Sequence, residues 1–403
     1  MSAGPELDNA TVLDWLEAFH GANATLNADQ WPDEFMTDDV EMQYANNPVI
    51  KGSEIHLFCL KLHISVQTTY ISILFELLVK LHTSRFPSLQ QSEIIMQQEV
   101  EKPSRGPQSQ FEQGHQIPVE HQKKPGLQAE MEDPKPTSNK LPTEDNGYQT
   151  YKAAGKLSGK KAIITGGDSG IGRAVAILFA MEGASSLIAY LPEEEKDAQE
   201  TKQRVEETGQ SCYCFATDIR DKKNCQKVVD TALKSLGGID ILVNNAGTQT
   251  MIDDIKDLEE SQWESTFDTN IHPIFYLSKY TLPHLKNGST IINCASVNHY
   301  IGRPDLLDYT STKGAIVAFT RGLSNQQVKN GIRVNCVCPG PIWTPLIPAT
   351  MTTSAKEQFS GTPMGRPGQP SEVATCFVFL ASQDSSFISG QSLHPNGGVV
   401  VNG

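Results

Sequence analysis

Residues 161–172 read KAIITGGDSGIG, a β-rich run that passes directly into a cluster of glycines. The apolar-periodic residues 174–180 follow, so the predicted order is strand, glycine turn, helix. Glycines permit positive φ angles and close approach to a pyrophosphate, and the start of a helix offers unpaired amide N–H groups. The segment predicts a nucleotide-binding α/β unit. The alternative is a tight turn with no ligand.

A second buried-strand candidate, Ile239-Asp240-Ile241-Leu242-Val243, also ends in a glycine-bearing turn, Asn244-Asn245-Ala246-Gly247. From residue 157 onward, strand-like and helix-like segments alternate, which predicts an α/β fold with a doubly wound parallel sheet covered on both faces. Ligands of such sheets gather at the carboxyl ends of the strands, around the switch in strand order. Two glycine-bearing strand ends in one domain favour a shared ligand.

Tyr309 and Lys313 are four positions apart, which puts both side chains on one face of a helix. A free tyrosine hydroxyl titrates near a pKa of ~10, and a nearby cation is the simplest way to make a phenol a usable proton carrier at neutral pH. Ser296 follows the strand-like residues 291–295. Taken alone, the Tyr/Lys spacing is that of a solvated helix face. Together with the glycine turns it indicates a proton-transfer site.

Several motifs occur in a fixed order: Thr165-Gly166-x-x-x-Gly170-Ile171-Gly172, Asn244-Asn245-Ala246-Gly247, Asn270, Ser296, Tyr309-x-x-x-Lys313 and Pro339-Gly340. In this order and spacing they resemble the classical short-chain dehydrogenase/reductases. The resemblance covers residues 157–403 and implies a Rossmann-type sheet. Residues 339–346 and 363–368 resemble the glucose/ribitol dehydrogenase-like members of the family.

The resemblance implies four catalytic residues. Tyr309 would transfer the proton, and Lys313 would support it and bond the nicotinamide ribose. Ser296 would bond the same substrate oxygen, and Asn270 would hold a water that links Lys313 to solvent. Ser296 and Asn270 are otherwise ordinary caps of a strand end or a helix.

The resemblance also implies a set of cofactor-binding residues. In this sequence they are Thr165, Gly166, Ser169, Gly170, Ile171, Gly172, Asp218, Ile219, Asn244, Ala246, Gly247, Tyr309, Lys313, Pro339, Gly340, Ile342 and Thr344. Asp218 would hold the adenine amine, and Thr344 would contact the nicotinamide carboxamide. Asp218 is otherwise a helix cap.

Cofactor choice is normally made after the run Ser186-Leu187-Ile188-Ala189-Tyr190, where this chain has Leu191. A carboxylate there would bind the ribose diol and a cation would bind a 2′-phosphate, and leucine does neither. Asp168 and the glutamates of residues 193–195 disfavour a phosphate, whereas Arg173 would act as a counter-ion if it turned inward. NAD is therefore slightly favoured over NADP.

The 403-residue chain has a formal net charge of −14 and a pI near 5.2. An acidic surface disfavours nucleic acid and anionic membrane as partners. The cysteine pairs Cys212/Cys214 and Cys336/Cys338 lack adjacent histidines or carboxylates to complete four metal ligands, so we predict no metal site. The first residues have neither a basic start nor an apolar core, which predicts a cytoplasmic protein.

Four zones divide the chain. Residues 1–55 contain a partial α+β segment that resembles the front of a SnoaL-like domain of the nuclear-transport-factor-2-like superfamily. Residues 56–87 are apolar but interrupted by charges, so a membrane anchor is disfavoured. Residues 88–156, rich in Gln, Glu, Lys and Pro, are predicted to form a disordered or loosely docked linker and N-terminal extension. Residues 157–403 form the predicted catalytic domain.

The predicted function is oxidation of a secondary alcohol, polyol or sugar hydroxyl to its carbonyl, or the reverse, with NAD or NADP. Residues 298–300 suit a polar substrate, and residues 342–359 are predicted to form a mobile lid that suits an apolar portion. The resemblance implies a homodimer or homotetramer. Two alternatives stay open: a non-catalytic NAD(P)-binding sensor or scaffold, and a membrane-tethered enzyme.

Overall fold

The computed structural model describes residues 41–42, 50–51, 109–144 and 147–401. The chain divides into two units, residues 1–103 and 104–403. In the first unit, β1 (Glu41–Met42) pairs antiparallel with β2 (Ile50–Lys51). The rest of the predicted SnoaL-like segment and the whole apolar segment, residues 56–87, lie outside the described residues.

The second unit is built on one parallel sheet. A small antiparallel pair, β3 (Lys140–Pro142) and β4 (Tyr148–Thr150), precedes it. The strands of the main sheet are β5 (Lys161–Thr165), β6 (Ser185–Tyr190), β7 (Cys212–Ala216), β8 (Ile241–Asn244), β9 (Thr290–Cys294), β10 (Arg333–Val337) and β11 (Ser392–Leu393). These seven strands lie in the order β11-β10-β9-β8-β5-β6-β7 and every neighbouring pair is parallel. The predicted α/β, Rossmann-type doubly wound sheet is confirmed.

Helices cover both faces of the sheet. They are α1 (Gly170–Met181), α2 (Glu195–Glu206), α3 (Lys222–Leu236), α4 (Glu260–Asn270), α5 (His272–Thr281), α6 (Asn298–Ile301), α7 (Leu307–Gln327), α8 (Leu346–Thr350), α9 (Thr353–Glu357) and α10 (Pro370–Ala381). Short 3₁₀ turns span Gln128–Glu130, Pro192–Glu194, Ile255–Asp257, Leu282–His284, Pro304–Leu306, Val328–Asn330 and Gln383–Ser385.

The core has two main layers because successive strand side chains point to opposite faces. In β5, Ala162 and Ile164 face the cluster formed by α1 and α10, whereas Ile163 faces the cluster formed with α3 and α5. Strand order reverses between β5 and β8, so the carboxyl ends of these two strands flank a crevice. The two glycine-bearing turns lie at this crevice.

The described part of the predicted linker is packed on the second unit. Ile117 and Met131 are buried against Trp343, Ile347 and neighbouring residues. The indole Nε1 of Trp343 also donates a 3.0 Å hydrogen bond to the carbonyl oxygen of Pro134. This packing differs from the disordered or loosely docked linker that the polar composition predicts. The segment is docked by a few spaced apolar side chains and by backbone hydrogen bonds. Residues 88–108 lie outside the described residues.

Candidate active site

One cavity of about 720 Å³ runs along the carboxyl ends of the strands. It brings together most of the predicted site residues. These are Gly166, Ser169, Gly170, Ile171, Asp218, Ile219, Ala246, Gly247, Ser296, Tyr309, Lys313, Pro339, Gly340, Ile342 and Thr344. Its volume is that of a pocket for a sizeable ligand.

The first glycine turn has the conformation that the sequence predicts. Gly166 and Gly170 have φ angles of +60° and +52°, values that favour glycine. A Cβ on Gly172 would lie 1.8 Å from the carbonyl oxygen of Gly166, so only glycine lets α1 pack this closely on the turn. Ser169, Gly170 and Ile171, at the N-terminus of α1, line the cavity, where the helix dipole favours an anion.

Thr165 ties the two glycine turns together. Its Oγ1 accepts hydrogen bonds from the backbone N–H groups of Asn245, at 3.0 Å, and Ala246, at 3.1 Å. The amide of Asn245 in turn donates to the carbonyl oxygens of Thr165 and Gly166, both at 3.1 Å. The crevice between β5 and β8 is thus held at a defined width.

The helix α7 places Tyr309 and Lys313 at the other end of the cavity. Both side chains are largely buried, and the Lys313 Nζ lies 5.1 Å from the centre of the Tyr309 ring. The ammonium also donates a 2.9 Å hydrogen bond to the carbonyl oxygen of Cys294, at the end of β9. The predicted pair is therefore one local cluster, with the cation held in place by the sheet.

Ser296 lies beyond the end of β9 and is 7% exposed. Its Oγ accepts a 3.2 Å hydrogen bond from the backbone N–H of Asn298. Because this bond uses an oxygen lone pair, the hydroxyl hydrogen is left to donate to a ligand. The hydroxyl lines the cavity with its hydrogen available to donate.

Asn270 ends α4 and is fully buried. Its Oδ1 accepts from the Thr248 N–H at 2.8 Å, and its Nδ2 donates to the Thr248 carbonyl at 2.9 Å and to Thr312 Oγ1 at 3.0 Å. A Cβ on Gly247 would lie 3.3 Å from Asn270 Oδ1 and 3.5 Å from Lys313 Nζ. Asn270 therefore fixes the turn that faces the lysine.

The structure places three further predicted residues, like Asn270, behind the cavity wall rather than on it. Thr165 and Gly172 act through the contacts given above. Asn244 is buried, and its amide donates a 2.9 Å hydrogen bond to Asn293 Oδ1 on the neighbouring strand β9. These residues shape the site from beneath, so their predicted direct contact with the cofactor stays a prediction.

A carboxylate does reach the end of β6, although Leu191 occupies the expected position. The 3₁₀ turn Pro192–Glu194 folds back so that Glu194 Oε2 accepts a 2.8 Å hydrogen bond from the Leu191 N–H. Glu194 and Asp168 both line the cavity. Burial, together with the neighbouring Asp168, raises the pKa of Glu194 to about 8, and burial raises the pKa of Asp168 to about 6.

The cations near this end of the cavity are already engaged. Arg173 is 1% exposed and pairs with Asp197, at 3.1 Å, and with Glu200, at 2.9 Å. It therefore does not turn towards the cavity as a counter-ion. Arg220 forms an ion pair with Asp218 at 2.5 Å, which lowers the pKa of that carboxyl. Asp218 lines the cavity, with its carboxylate held by this arginine.

The predicted lid, residues 342–359, contains α8 and α9. Leu346, Ile347 and Met351 line the cavity, as an apolar substrate portion would need. Trp343 is fully buried and does not line it. Of the predicted polar residues 298–300, only Asn298 lines the cavity.

His299 instead faces the protein interior. Its Nδ1 makes a short hydrogen bond to the Ser296 carbonyl, and burial lowers its pKa. The imidazole therefore supports the backbone of the serine that carries the predicted substrate contact.

The sequence reasoning missed the contribution of the N-terminal extension. Lys124, Pro125 and Gly126 line the cavity beside the lid. Gln128 is 4% exposed, and its Oε1 accepts a 2.8 Å hydrogen bond from the N–H of Gly170, at the start of α1. The Lys-Lys-Pro-Gly run at residues 123–126 has no characteristic spacing to the motifs of the site, so residue order alone did not connect it with the cavity.

Within the described ranges, no helix has the length and apolar character needed to cross a membrane. Among the same residues, no group of three or more histidine, cysteine or acidic side chains is arranged to hold a metal ion. The predicted absence of a metal stays a prediction.

Comparison with known proteins decides the family. The family model described as enoyl-(acyl carrier protein) reductase matches residues 166–400, which is more than half of the chain. The chain belongs to the short-chain dehydrogenase/reductase family. This membership confirms the predicted family and the prediction of an oxidoreductase. The match does not include residues 1–55, so the SnoaL-like resemblance stays a prediction.

Individual members of the short-chain dehydrogenase/reductase family are similar over most of their length. The glucose and ribitol dehydrogenase of Daucus carota is 50% identical over 268 residues, which cover 65% of this chain and 92% of that protein. The chloroplastic NADPH-dependent aldehyde reductase 1 of Arabidopsis thaliana is 52% identical over 62% of this chain and 90% of its own. The predicted glucose/ribitol dehydrogenase-like sub-family is thus confirmed.

A solved structure supports the same assignment. The crystal structure of a short-chain dehydrogenase from Burkholderia cenocepacia in complex with NADP has a TM-score of 0.57 and 31% sequence identity. The match covers 60% of this chain and 98% of the Burkholderia chain.

Proposed function

We propose that the protein interconverts a secondary alcohol, or a hydroxyl of a polyol or sugar, and its carbonyl with NAD(P), using Tyr309 as general acid/base. The observation that carries this proposal is the position of Lys313 Nζ, 5.1 Å from the Tyr309 ring centre, in a cavity that Ser296 also lines. The names of the carrot and Arabidopsis relatives, a polyol dehydrogenase and an aldehyde reductase, support the substrate class.

The residues present fit a nicotinamide dinucleotide. Gly166 and Gly170 have the positive φ angles of a pyrophosphate turn, and the start of α1 opens on the same cavity as Tyr309. Asp168 Oδ2 is buried and has no hydrogen-bond partner among the described residues. This oxygen is therefore available to accept a hydrogen bond from a ligand hydroxyl. When bound, the nicotinamide exchanges a hydride with the reacting carbon. Thr344 and Ile342 would hold its ring, and Lys313 its ribose.

Tyr309 carries the proton in this proposal. It donates its hydroxyl proton to the carbonyl oxygen as the carbon is reduced, or removes the alcohol proton in the oxidative direction. A cation near the ring stabilises the phenolate that this step requires, and Lys313 is held there by the Cys294 carbonyl.

Ser296 polarises the substrate. Its Oγ accepts from the Asn298 N–H, so its own hydrogen is free to donate to the substrate oxygen, where negative charge develops. We also propose that a water near Asn270 links Lys313 to solvent, because Gly247 has no side chain to fill the space next to Asn270 Oδ1 and Lys313 Nζ.

We further propose NAD as the preferred cofactor. Glu194 puts a carboxyl group at the end of β6, where the adenosine ribose diol would lie, and Arg173 and Arg220 are both engaged by acidic partners. The name of the Arabidopsis relative and the Burkholderia complex make NADP the alternative that the experiment must test.

A homodimer or homotetramer in the cytoplasm completes the proposal. Large apolar side chains are exposed on two neighbouring helices, with Trp263 on α4 37% exposed and Phe275 on α5 46% exposed. Light scattering of the purified protein and fractionation of cells would test assembly and location.

The experiment is nicotinamide absorbance with purified protein, NAD and NADP separately, against sugars, polyols, secondary alcohols and small carbonyls. Tyr309→Phe keeps the ring and removes the proton carrier, so we expect turnover to fall at least about 100-fold while cofactor binding persists. Turnover that survives in this variant would overturn the proposed mechanism. Cofactor binding without turnover on any substrate would favour the sensor or scaffold alternative.

A further inference from the structure

The N-terminal extension forms one wall of the cavity. Lys124, Pro125 and Gly126 line it together with Ser296 and Tyr309. Two sets of hydrogen bonds hold this wall: Gln122 N donates to the Pro348 carbonyl at 3.1 Å, and Gln122 Oε1 accepts from the Leu127 N–H at 2.7 Å. The wall is therefore docked on α8 rather than free in solvent.

The ammonium of Lys124 lies at the cavity beside the loop that follows β8. Its Nζ donates a short hydrogen bond to Thr250 Oγ1, in the loop that follows β8 and the Gly247 turn. Burial lowers the pKa of Lys124, and the charge of Asp308 opposes that shift. Asp308 directly precedes Tyr309 in α7.

Two charged side chains near Lys124, Asp308 and Arg303, already have hydrogen-bond or ion-pair partners. Asp308 accepts from Thr266 Oγ1 at 2.7 Å, from Gln262 Nε2 at 3.2 Å and from the Tyr309 N–H at 2.7 Å. Arg303, which also lines the cavity, is paired with Asp305 through bonds of 2.6 and 2.9 Å.

Lys124 differs from Asp308 and Arg303 because its ammonium donates to a neutral group, the hydroxyl of Thr250. Besides Lys313, which the mechanism uses, it is the cation lining this end of the cavity that forms no ion pair with a described residue. The side chain of Lys124 is exposed at the cavity, and an ammonium without a counter-ion is complementary to an anionic ligand.

We propose that Lys124 binds a carboxylate or phosphate group of the substrate, at the end away from the reacting carbon, so that the enzyme selects acidic carbonyl compounds or polyols over neutral ones. This inference rests on the proposed function, because it places the anion relative to Tyr309. Lys124 is a specificity-determining residue here and takes no part in proton transfer.

The test compares substrates that differ only in the anionic group. Glucose 6-phosphate against glucose distinguishes a phosphate, and succinic semialdehyde against butanal distinguishes a carboxylate. We expect Lys124→Met to lower kcat/KM for the acidic member of a pair about 10- to 100-fold, chiefly through KM, since a hydrogen bond to a charged group is worth that factor in affinity. The neutral member would change little, and Lys124→Arg would restore part of the preference.

Lys123→Met is the matched control. Lys123 is the adjacent lysine of the same wall and is exposed like Lys124, but it does not line the cavity, so its loss should leave turnover of both substrates unchanged. A wild-type enzyme that turns over the neutral members as well as the acidic ones would overturn the inference. So would a Lys124→Met variant whose main defect is weaker binding of NAD or NADP, because the cation would then serve the cofactor.

Calorimetric binding of succinate and of inorganic phosphate separates this inference from the proposed function. If no substrate is turned over, the proposed function fails, yet binding that is lost in Lys124→Met and kept in Lys123→Met would still support the anion site. Equal binding, or equal absence of binding, in wild type and Lys124→Met would refute it.

Discussion

The backbone of Gly126 rests on the carbonyl group of Pro345: a Cβ on Gly126 would lie 2.3 Å from the Pro345 oxygen and 3.1 Å from the Ala349 Cβ. Gly126 belongs to the N-terminal extension, and Pro345 directly precedes α8 of the lid. The contact therefore joins two segments that are more than two hundred positions apart, and it does so beside the cavity.

Gly126→Ala is expected to lower the free energy of unfolding by about 1–3 kcal/mol, because the added methyl group must displace the Pro345 backbone or the extension. Urea unfolding monitored by circular dichroism measures the change. Gly322→Ala in α7 is the control. No atom lies within 4 Å of a Cβ at that helical position, so the substitution should be neutral or stabilise by up to ~1 kcal/mol. Equal effects in the two variants would contradict the close contact.

Gln128→Met should weaken binding of the dinucleotide about tenfold, since the Gly170 N–H at the start of α1 loses its acceptor and the glycine turn loses its support. Isothermal titration with NAD and NADP measures this without catalysis. Gln122→Met is the control, because it removes two hydrogen bonds between this side chain and the Leu127 backbone within the extension and leaves α1 untouched. A comparable loss of affinity in both variants would show that the extension as a whole, rather than Gln128, supports the turn.

Glu194→Gln should make cofactor preference independent of pH. The pKa of Glu194 is raised to about 8, so the wild-type carboxyl is largely neutral near pH 7 and ionised near pH 9. Its negative charge would then repel a 2′-phosphate, and the ratio of the NADP to the NAD dissociation constant should rise about tenfold over this range. Glu193→Gln, at the exposed neighbouring position, should keep the rise. A wild-type ratio that is flat with pH would place Glu194 away from the ribose.

The same titration predicts a stability effect with a definite sign. A carboxyl whose folded pKa lies above its ordinary 4.5 binds more protons in the folded state. The free energy of unfolding should therefore fall as the pH rises from about 4.5 to about 8. Glu194→Gln should flatten this decline, as measured by urea unfolding at several pH values. A steeper decline in the variant would contradict the raised pKa.

Arg173→Met is expected to destabilise the fold by about 3–5 kcal/mol, because it leaves the fully buried Asp197 carboxylate without its cation. Thermal and urea unfolding measure the loss. Lys202→Met removes an exposed i,i+4 pair with Glu206 on the same helix α2 that carries Asp197, and it should cost at most ~0.5 kcal/mol. If Arg173→Met were as stable as the wild type, the backbone N–H groups of Gln128 and Ala129, which both donate to Asp197, would be sufficient to compensate the charge of this carboxylate.

Local signals sufficed for the predicted cluster of Tyr309, Lys313 and Ser296. A spacing of four on a helix and a position after a buried strand are properties of neighbouring residues, and the structure places all three on one cavity. Direct contact of Asn244 with a cofactor was harder to judge. Whether a residue at a strand end faces the cavity or the layer beneath depends on the pleat and on the amide of Asn293, which comes from another strand.

The end of β6 shows the same limit. Leu191 occupies the position that normally selects the cofactor, and the sequence showed only that glutamates follow it. The fold-back of Glu194 onto the Leu191 N–H is a feature of the 3₁₀ turn at Pro192–Glu194. Burial, together with the negative charge of Asp168, raises the pKa of this carboxyl. Neither is visible in residue order.

The sequence by itself determined the family, the α/β class, the two glycine turns and the Tyr309/Lys313 pair, because each depends on backbone freedom or periodicity within a few residues. Only the tertiary structure decided that Lys124 lines the cavity and that Gln128 contacts the start of α1. Their positions follow from the burial of Ile117 and Met131 against Trp343 and from hydrogen bonds to α1 and the lid. Contacts between such distant segments arise from shape and burial, and these leave no spacing in the chain to be recognised.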